Sequence, residues 1–471
     1  MNLTNFTIDH FIFFSFLIIN IIFGLRSSRG ITTLTQYSIG DRNFSTPTLV
    51  STLVATWICG EFFVTQLTEI YRDGLFFIIP ALGNGLFFFL TGYVCIPRMK
   101  RFIGNLSIAE AMGNLYGRNV RLVTSVSGFI CAVGIIAVQL KVAGAVFEYV
   151  LNINSTYGII IAGTIITAYS VAGGIKSVVH TDVVQFLTFG TIIPLIAFYF
   201  FIEFSCWEDV RNFLLTDSNY DLKNVLSFTD TRSWTGLFYV IVFAIPGFDP
   251  GMFQRITISR NVAQASRAYI ITGFIIILLV LVMTWLAIVM ASNHGKFDDT
   301  DLLRSLFDNS PPIYKGLLLV GITAMVMSTV DSYINASSVL IAYDFVGVFT
   351  KLKNELYTAR LTSFLLGTIG IIISLNEMGI FQLFRLMLSF YLCTVSVPFL
   401  MAIFSIVINS NISVLIGIFS GGLFNLMWIL AGIKFLDGAV PAMIVNFLTI
   451  IIVDKCFFDK KCEDISKEIE L

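Results

Sequence analysis

The sequence predicts an all-α integral membrane protein with about 13 transmembrane helices in an inverted five-plus-five repeat. Three observations carry this prediction: an apolar composition, a series of membrane-length apolar stretches, and two interruptions at corresponding places in the two halves. The 471 residues are 56% hydrophobic and only 13% charged, with a mean hydropathy of +0.86. Too few charges remain to coat an aqueous surface around so apolar an interior, so lipid is the implied solvent.

Composition also excludes several functions. A formal net charge of −1 gives no basic face for a nucleic-acid partner. The seven cysteines lack the paired spacing of a zinc site and read as apolar filler. His10, His180 and His294 lie far apart in the chain, which leaves little for a histidine-based catalyst. No nucleophile, base and third group can be assembled from so few polar membrane residues, so no enzyme and no cofactor is expected.

A helical crossing takes about 20 apolar residues because each backbone amide must find its partner inside the segment. Such stretches lie at 9–25, 45–71, 74–95, 122–150, 157–171, 178–202, 234–250, 268–291, 313–343, 361–375, 380–408, 412–433 and 438–453. The first ends in Arg26 and Arg29 and leads into further spans, so it reads as a retained helix and not a cleaved signal. With the N-terminus outside, most of the 29 Lys and Arg fall in cytoplasmic loops, as the positive-inside rule requires. Arg98, Lys100 and Arg101, then Arg255, Arg260 and Arg267, then Lys351, Lys353 and Arg360 are the main groups. The C-terminus is then cytoplasmic, and the expected location is the cell's inner (plasma) membrane. Expected boundaries are 1–44 for an extra N-terminal helix and loop, 45–202 and 234–408 for the two repeats, 409–453 for two further helices and 454–471 for a tail. The longest loop, 203–232, is too short for a soluble domain.

The second stretch contains Ile58-Cys59-Gly60, and the seventh contains Pro246-Gly247-Phe248-Asp249-Pro250-Gly251. Glycine and proline are common in membrane helices. Two prolines so close together, however, remove two helix hydrogen bonds and free backbone groups near mid-membrane. Each interruption opens a block of five helices, and because five is odd the second block enters with opposite topology. Carriers use interrupted helices of this kind to bind ions and substrate.

With these breaks, the run Met325-Val326-Met327-Ser328-Thr329-Val330-Asp331-Ser332 resembles the sodium:solute symporter family, which includes sodium-coupled carriers of proline, sugars, pantothenate and sialic acid. Ala55-Thr56-Trp57-Ile58, Gly173-Gly174-Ile175-Lys176, Thr181-Asp182-Val183-Val184-Gln185 and Gln254-Arg255 carry the same resemblance, which covers nearly the whole chain. It implies a leucine-transporter-like fold and alternating-access symport of a small organic solute with Na⁺. It also implies a sodium site made by Ala55, Ile58, Met325, Ser328 and Thr329. Physical chemistry agrees in outline: Na⁺ favours oxygen ligands, and Met325, Ser328 and Thr329 share one helix face.

In the family the aspartate at Asp182 is linked to cation coupling, in some members as part of a second sodium site with hydroxyls of the ninth helix. Asp331 is a second coupling candidate, lining an inward exit or reaching cytoplasmic water. The breaks nominate Trp57, Glu61, Phe62, Gln66, Phe248 and Asp249 for the substrate pocket. Lys141 is expected to face them, pairing with a substrate carboxylate or neutralising Glu61 or another buried acid. Sugar carriers of the family have glutamine where Phe62 stands, and proline carriers have aspartate where Trp57 stands, which argues against both substrates. Arg385 reads as an anion anchor or an interfacial residue. The expected partners are a small-molecule substrate, Na⁺ and the bilayer, with the chain a monomer or weak oligomer. Alternatives are a transporter-like sensor, since such domains also occur fused to kinases, and proton coupling through Asp182 or Asp331.

Overall fold

A computed structural model describes residues 6–225, 227, 229–293, 301–350, 354–433 and 438–457. His294, Lys296, Asp298, Asp299, Lys351, Lys353, Lys434, Cys462, Lys460, Lys461, Lys467 and most of the expected tail at 454–471 lie outside the described residues. Among those described, all regular structure is helical, and eleven helices are long and apolar enough to cross a membrane.

The main helices are α1 (Ile8–Ser27), α2 (Thr46–Trp57), α3 (Gly60–Asp73), α4 (Ile78–Leu90), α5 (Arg118–Leu151), α6 (Ser155–Ala172), α7 (Ile175–Phe204) and α8 (Thr231–Ala244). They continue with α9 (Pro250–Thr257), α10 (Val262–Ala291), α11 (Tyr314–Val339), α12 (Glu355–Ser374), α13 (Ile380–Tyr391), α14 (Val397–Ile403), α15 (Asn411–Leu430) and α16 (Ala439–Phe457). The expected second and seventh stretches are each divided, into α2 and α3 and into α8 and α9. A short 3-10 turn, Gly74–Phe77, joins α3 to α4.

Several loops hold short helices that hydropathy does not reveal. Ile108–Tyr116 starts where Ser107 Oγ accepts from the Glu110 amide at 2.9 Å and the Glu110 carboxylate accepts from the Leu106 amide at 2.6 Å. That pairing satisfies one orphan amide of the first turn and the amide of Leu106, which leads into it. Trp207–Thr216 occupies the long loop in the same way, capped at Cys206 and Asp209.

The fold has a dry centre and a greasy outside. α11 is buried along almost its whole length and packs against α1, α2, α5, α7 and α12. Its start is pinned by Asp9 of α1, whose Oδ1 accepts from the amides of Ile313 (2.8 Å) and Gly316 (2.9 Å). Around the rim, Phe198, Phe274, Leu278, Phe364, Phe419 and Leu423 are exposed, as suits side chains whose solvent is hydrocarbon.

Close helix contacts depend on small residues, since lipid supplies no hydrophobic drive for helix association. Where α5 meets α6, a Cβ added at Gly158 would lie 2.5 Å from the Gly144 carbonyl oxygen, which is backbone and cannot yield. Gly158→Ala is therefore expected to cost roughly 1 to 3 kcal/mol, read as a lower thermal-unfolding midpoint in detergent. An unchanged midpoint would show that this contact is not tight.

Candidate functional site

α2 stops at Trp57, Ile58 leaves helical geometry (φ −77°, ψ 89°), and Cys59 caps the start of α3. In an unbroken helix the Gly60 amide would bond to the Thr56 carbonyl. Instead it donates to Gln139 Oε1 of α5 at 3.0 Å, and the Glu61 amide approaches the same oxygen at 3.4 Å. A Cβ on Gly60 would meet the Val326 side chain at 2.6 Å and Val142 at 3.0 Å, so glycine lets the break lie directly against α11. Gln139 is a functional residue the sequence reading passed over. Its signal was present, because a fully buried glutamine in an apolar helix needs a polar partner.

The second break spans residues 245–249, with Phe248 at φ 51°. Its carbonyls are met by side chains from further along the chain: Ser396 Oγ donates to Gly247 at 2.7 Å and the Tyr391 hydroxyl to Phe248 at 3.0 Å. Asp249 caps α9, accepting from the Met252 amide at 3.1 Å and the Tyr333 hydroxyl at 2.8 Å. Gln254 bridges to the Ser38 carbonyl (2.7 Å) and Asn335 Oδ1 (2.9 Å).

The first break opens onto α11. Ser328 Oγ lies 2.7 Å from the Ala55 carbonyl and 2.9 Å from that of Met325. Thr329 Oγ1 lies 3.3 Å from the Thr56 carbonyl and 3.2 Å from that of Met325. Three carbonyls and two hydroxyls, all uncharged and buried, thus converge from two helices. Ala55, Met325, Ser328 and Thr329 are brought together. Ile58 is fully buried at the turn, and the carbonyl of α2 that Thr329 meets is that of Thr56, which was not among the residues the sequence nominated.

Asp182 and Asp331 go to different neighbours. Asp182 of α7 accepts from the Thr52 hydroxyl and forms an ion pair with Arg255 of α9 at 3.3 Å, both side chains fully buried. Arg255 also donates to Ser332 Oγ and to the Gly251 carbonyl. Asp331 accepts from the Tyr169 and Ser170 hydroxyls of α6. Arg255 therefore supplies the positive charge beside Asp182 that a sequence pattern could not locate.

Against the first break lies a cavity lined by Thr56 and Thr329 of the oxygen cluster and by Trp57, Glu61, Phe62, Gln66 and Asp249 among others. Trp57 stacks on Phe87 at 4.4 Å between ring centroids. Glu61 accepts from Thr65 at 2.9 Å, and Gln66 approaches Thr284 at 3.4 Å. Two expectations need correction. Phe248 does not line this cavity; its ring packs edge-on against Phe399. Lys141 does not face the breaks: its Nζ donates to the Asn376 carbonyl and, at 2.8 Å, to that of Met378 beyond α12. The reason is helical phase, because residues two apart lie about 200° apart around the axis. With Gln139 turned to the break, Lys141 must point away from it. Arg385 lies over the rings of Tyr239 and Phe381.

Two interrupted helices around a central helix that bears hydroxyls define a membrane carrier. The profile of the family described as "Sodium:solute symporter family" matches residues 37–424, and the chain belongs to that family. It is 24% identical to sodium-coupled monocarboxylate transporter 1 of Xenopus laevis, over 79% of this chain and 63% of that protein. With high-affinity choline transporter 1 of Caenorhabditis elegans it shares 20% identity, over 77% of this chain and 66% of that protein. The chain thus spans less than two thirds of the length of either relative. Its fold is similar to the substrate-bound outward-open state of a Na⁺-coupled sialic acid symporter, with a TM-score of 0.82, 17% identity and coverage of 95% and 96% of the two chains.

The buried Asp182–Arg255 pair yields a direct test. Arg255→Ala leaves a carboxylate unpaired and is expected to cost roughly 3 to 5 kcal/mol, whereas removing both charges in Asp182→Leu with Arg255→Met restores much of the loss. Thermal unfolding of Asp182→Leu, of Arg255→Met and of the double variant decides it, and strictly additive losses would dissolve the pair.

Proposed function

We propose that the chain is a Na⁺-coupled symporter that carries a small organic solute by alternating access. One observation carries the reading: neutral carbonyls of Ala55, Thr56 and Met325 meet the hydroxyls of Ser328 and Thr329 where α2 is broken. A hard monovalent cation suits such ligands, which hold it without the tight grip of a carboxylate. The hydroxyls now donating to these carbonyls would turn their lone pairs toward the ion. The Ile58 carbonyl, at the turn itself, completes the proposed set. Cation and solute share the break, so an ion that draws α2 and α11 together also shapes the cavity wall at Trp57 and Glu61. In that arrangement, Na⁺ binding favours the state ready for solute.

The reading includes the finer architecture. We take the divided α2/α3 and α8/α9 as the second and seventh of 13 spans, each opening one inverted repeat, with the N-terminus outside. Support comes from the eleven long apolar helices and from the grouping of Arg98, Arg101, Arg118 and Arg260 at loops and helix ends that the 13-span count puts on one side; Arg255, counted with them from the sequence, is instead buried in α9 against Asp182. Asp182 and Asp331 serve as coupling acids in this scheme, Asp182 already matched by Arg255. Family membership and the neutral oxygen cluster favour sodium-coupled transport over a sensor or a proton carrier.

In the purified chain, Na⁺ is expected to raise the unfolding midpoint relative to K⁺, by linkage of ion binding to the native state. Ser328→Ala and Thr329→Ala are each expected to shift the half-stabilising Na⁺ concentration upward about tenfold, the equivalent of one lost ligand. Na⁺ titrations indistinguishable from the parent in both variants would remove the ion from this place.

A further inference from the structure

The cavity beside the breaks has a charge pattern that bears on what it takes. Two carboxylates line it, Glu61 and Asp249, and among the described residues no Lys or Arg does. Lys141 is committed to carbonyls elsewhere, and Arg385, not itself a lining residue, lies over the rings of Tyr239 and of Phe381, the second of which lines the cavity. Arg255 stands behind Asp249 and is engaged with Asp182.

The two acids differ in how well they are held. Asp249 caps α9 and accepts from the Tyr333 hydroxyl, so it has partners within the fold. Glu61 has one hydroxyl partner, Thr65 of its own helix, and a distant thiol, Cys59 Sγ at 3.8 Å. A carboxylate so placed at membrane depth is costly unless a cation comes to it. A sodium ion at the proposed cluster would bring one positive charge against two negative ones, leaving one to be matched. The walls are aromatic, with Trp57, Phe62, Phe87 and Tyr333 among them, and ring faces attract ammonium groups.

Resting on the reading of this cavity as the transport site, we propose that its substrate carries a positively charged nitrogen on a compact apolar body, the nitrogen held by Glu61 inside the aromatic wall. A simple carboxylate is disfavoured, since it would enter beside two acids with no base to receive it. An amino acid fits only with its ammonium group toward Glu61.

The test uses the purified full-length chain and thermal shift in Na⁺ or K⁺. The probes are choline, phenethylamine and phenylalanine, with 3,3-dimethylbutan-1-ol and 3-phenylpropionate as neutral and anionic counterparts. Stabilisation is expected from ammonium-bearing probes and not from their counterparts. Glu61→Gln is expected to weaken the best of them about tenfold or more, the worth of one close contact between opposite charges away from water. Stabilisation led by the neutral or anionic probe, or none from any ammonium probe, overturns the proposal. So does unchanged affinity in Glu61→Gln. The wild-type series decides the charge preference even where the variant does not fold. Ammonium selectivity equal in Na⁺ and K⁺ would leave this inference standing and count against sodium coupling instead.

Discussion

The structure depends on one constraint: a backbone amide or carbonyl freed in the middle of a membrane must find a partner, because hydrocarbon offers none. Breaking α2 and the α8/α9 helix frees such groups in two places. At each break, polar side chains from distant segments meet them. Gln139, Ser328 and Thr329 meet the first, and Tyr391 and Ser396 meet the second. α11, which touches both breaks through its hydroxyls and Tyr333, is accordingly the most enclosed of the long helices among the described residues.

Charge is arranged around this frame with similar economy. The oxygens proposed for Na⁺ are uncharged, while the nearby acids have separate stations. Asp182 is matched by Arg255, Asp331 by two hydroxyls, Asp249 by a helix start and a phenol, and Glu61 only by its neighbour Thr65. Of the two acids at the cavity wall, Glu61 is thus the less well held. An isolated carboxylate is expensive in a low-dielectric interior, and a carrier can use that cost to favour a matching solute.

The sequence was legible where a local signal was strong. Gly60 and the Pro246–Gly251 run marked both breaks, since only backbone-permissive or helix-breaking residues produce them. The i, i+3, i+4 spacing of Met325, Ser328 and Thr329 placed them on one face. Helix ends were blurred: α12 starts at Glu355, six residues before the expected 361, because the Asn354 cap and a polar first turn carry no hydropathy signal. Lys141 was misplaced because nothing in the sequence shows which face of α5 meets the break; once Gln139 is seen to take that face, helical phase turns Lys141 away.

By itself the sequence determined the solvent, the approximate places of the apolar stretches, the two interruptions and the family. Each follows from composition or from residues close together in the chain. Only the tertiary structure decided that Thr56 joins the oxygen cluster, that Gln139 caps the break and that Arg255 answers Asp182. It alone also showed that the cavity is acidic, with its bases turned elsewhere. Those facts rest on contacts between residues from 73 to 273 positions apart, and the packing of helices sets which of them meet.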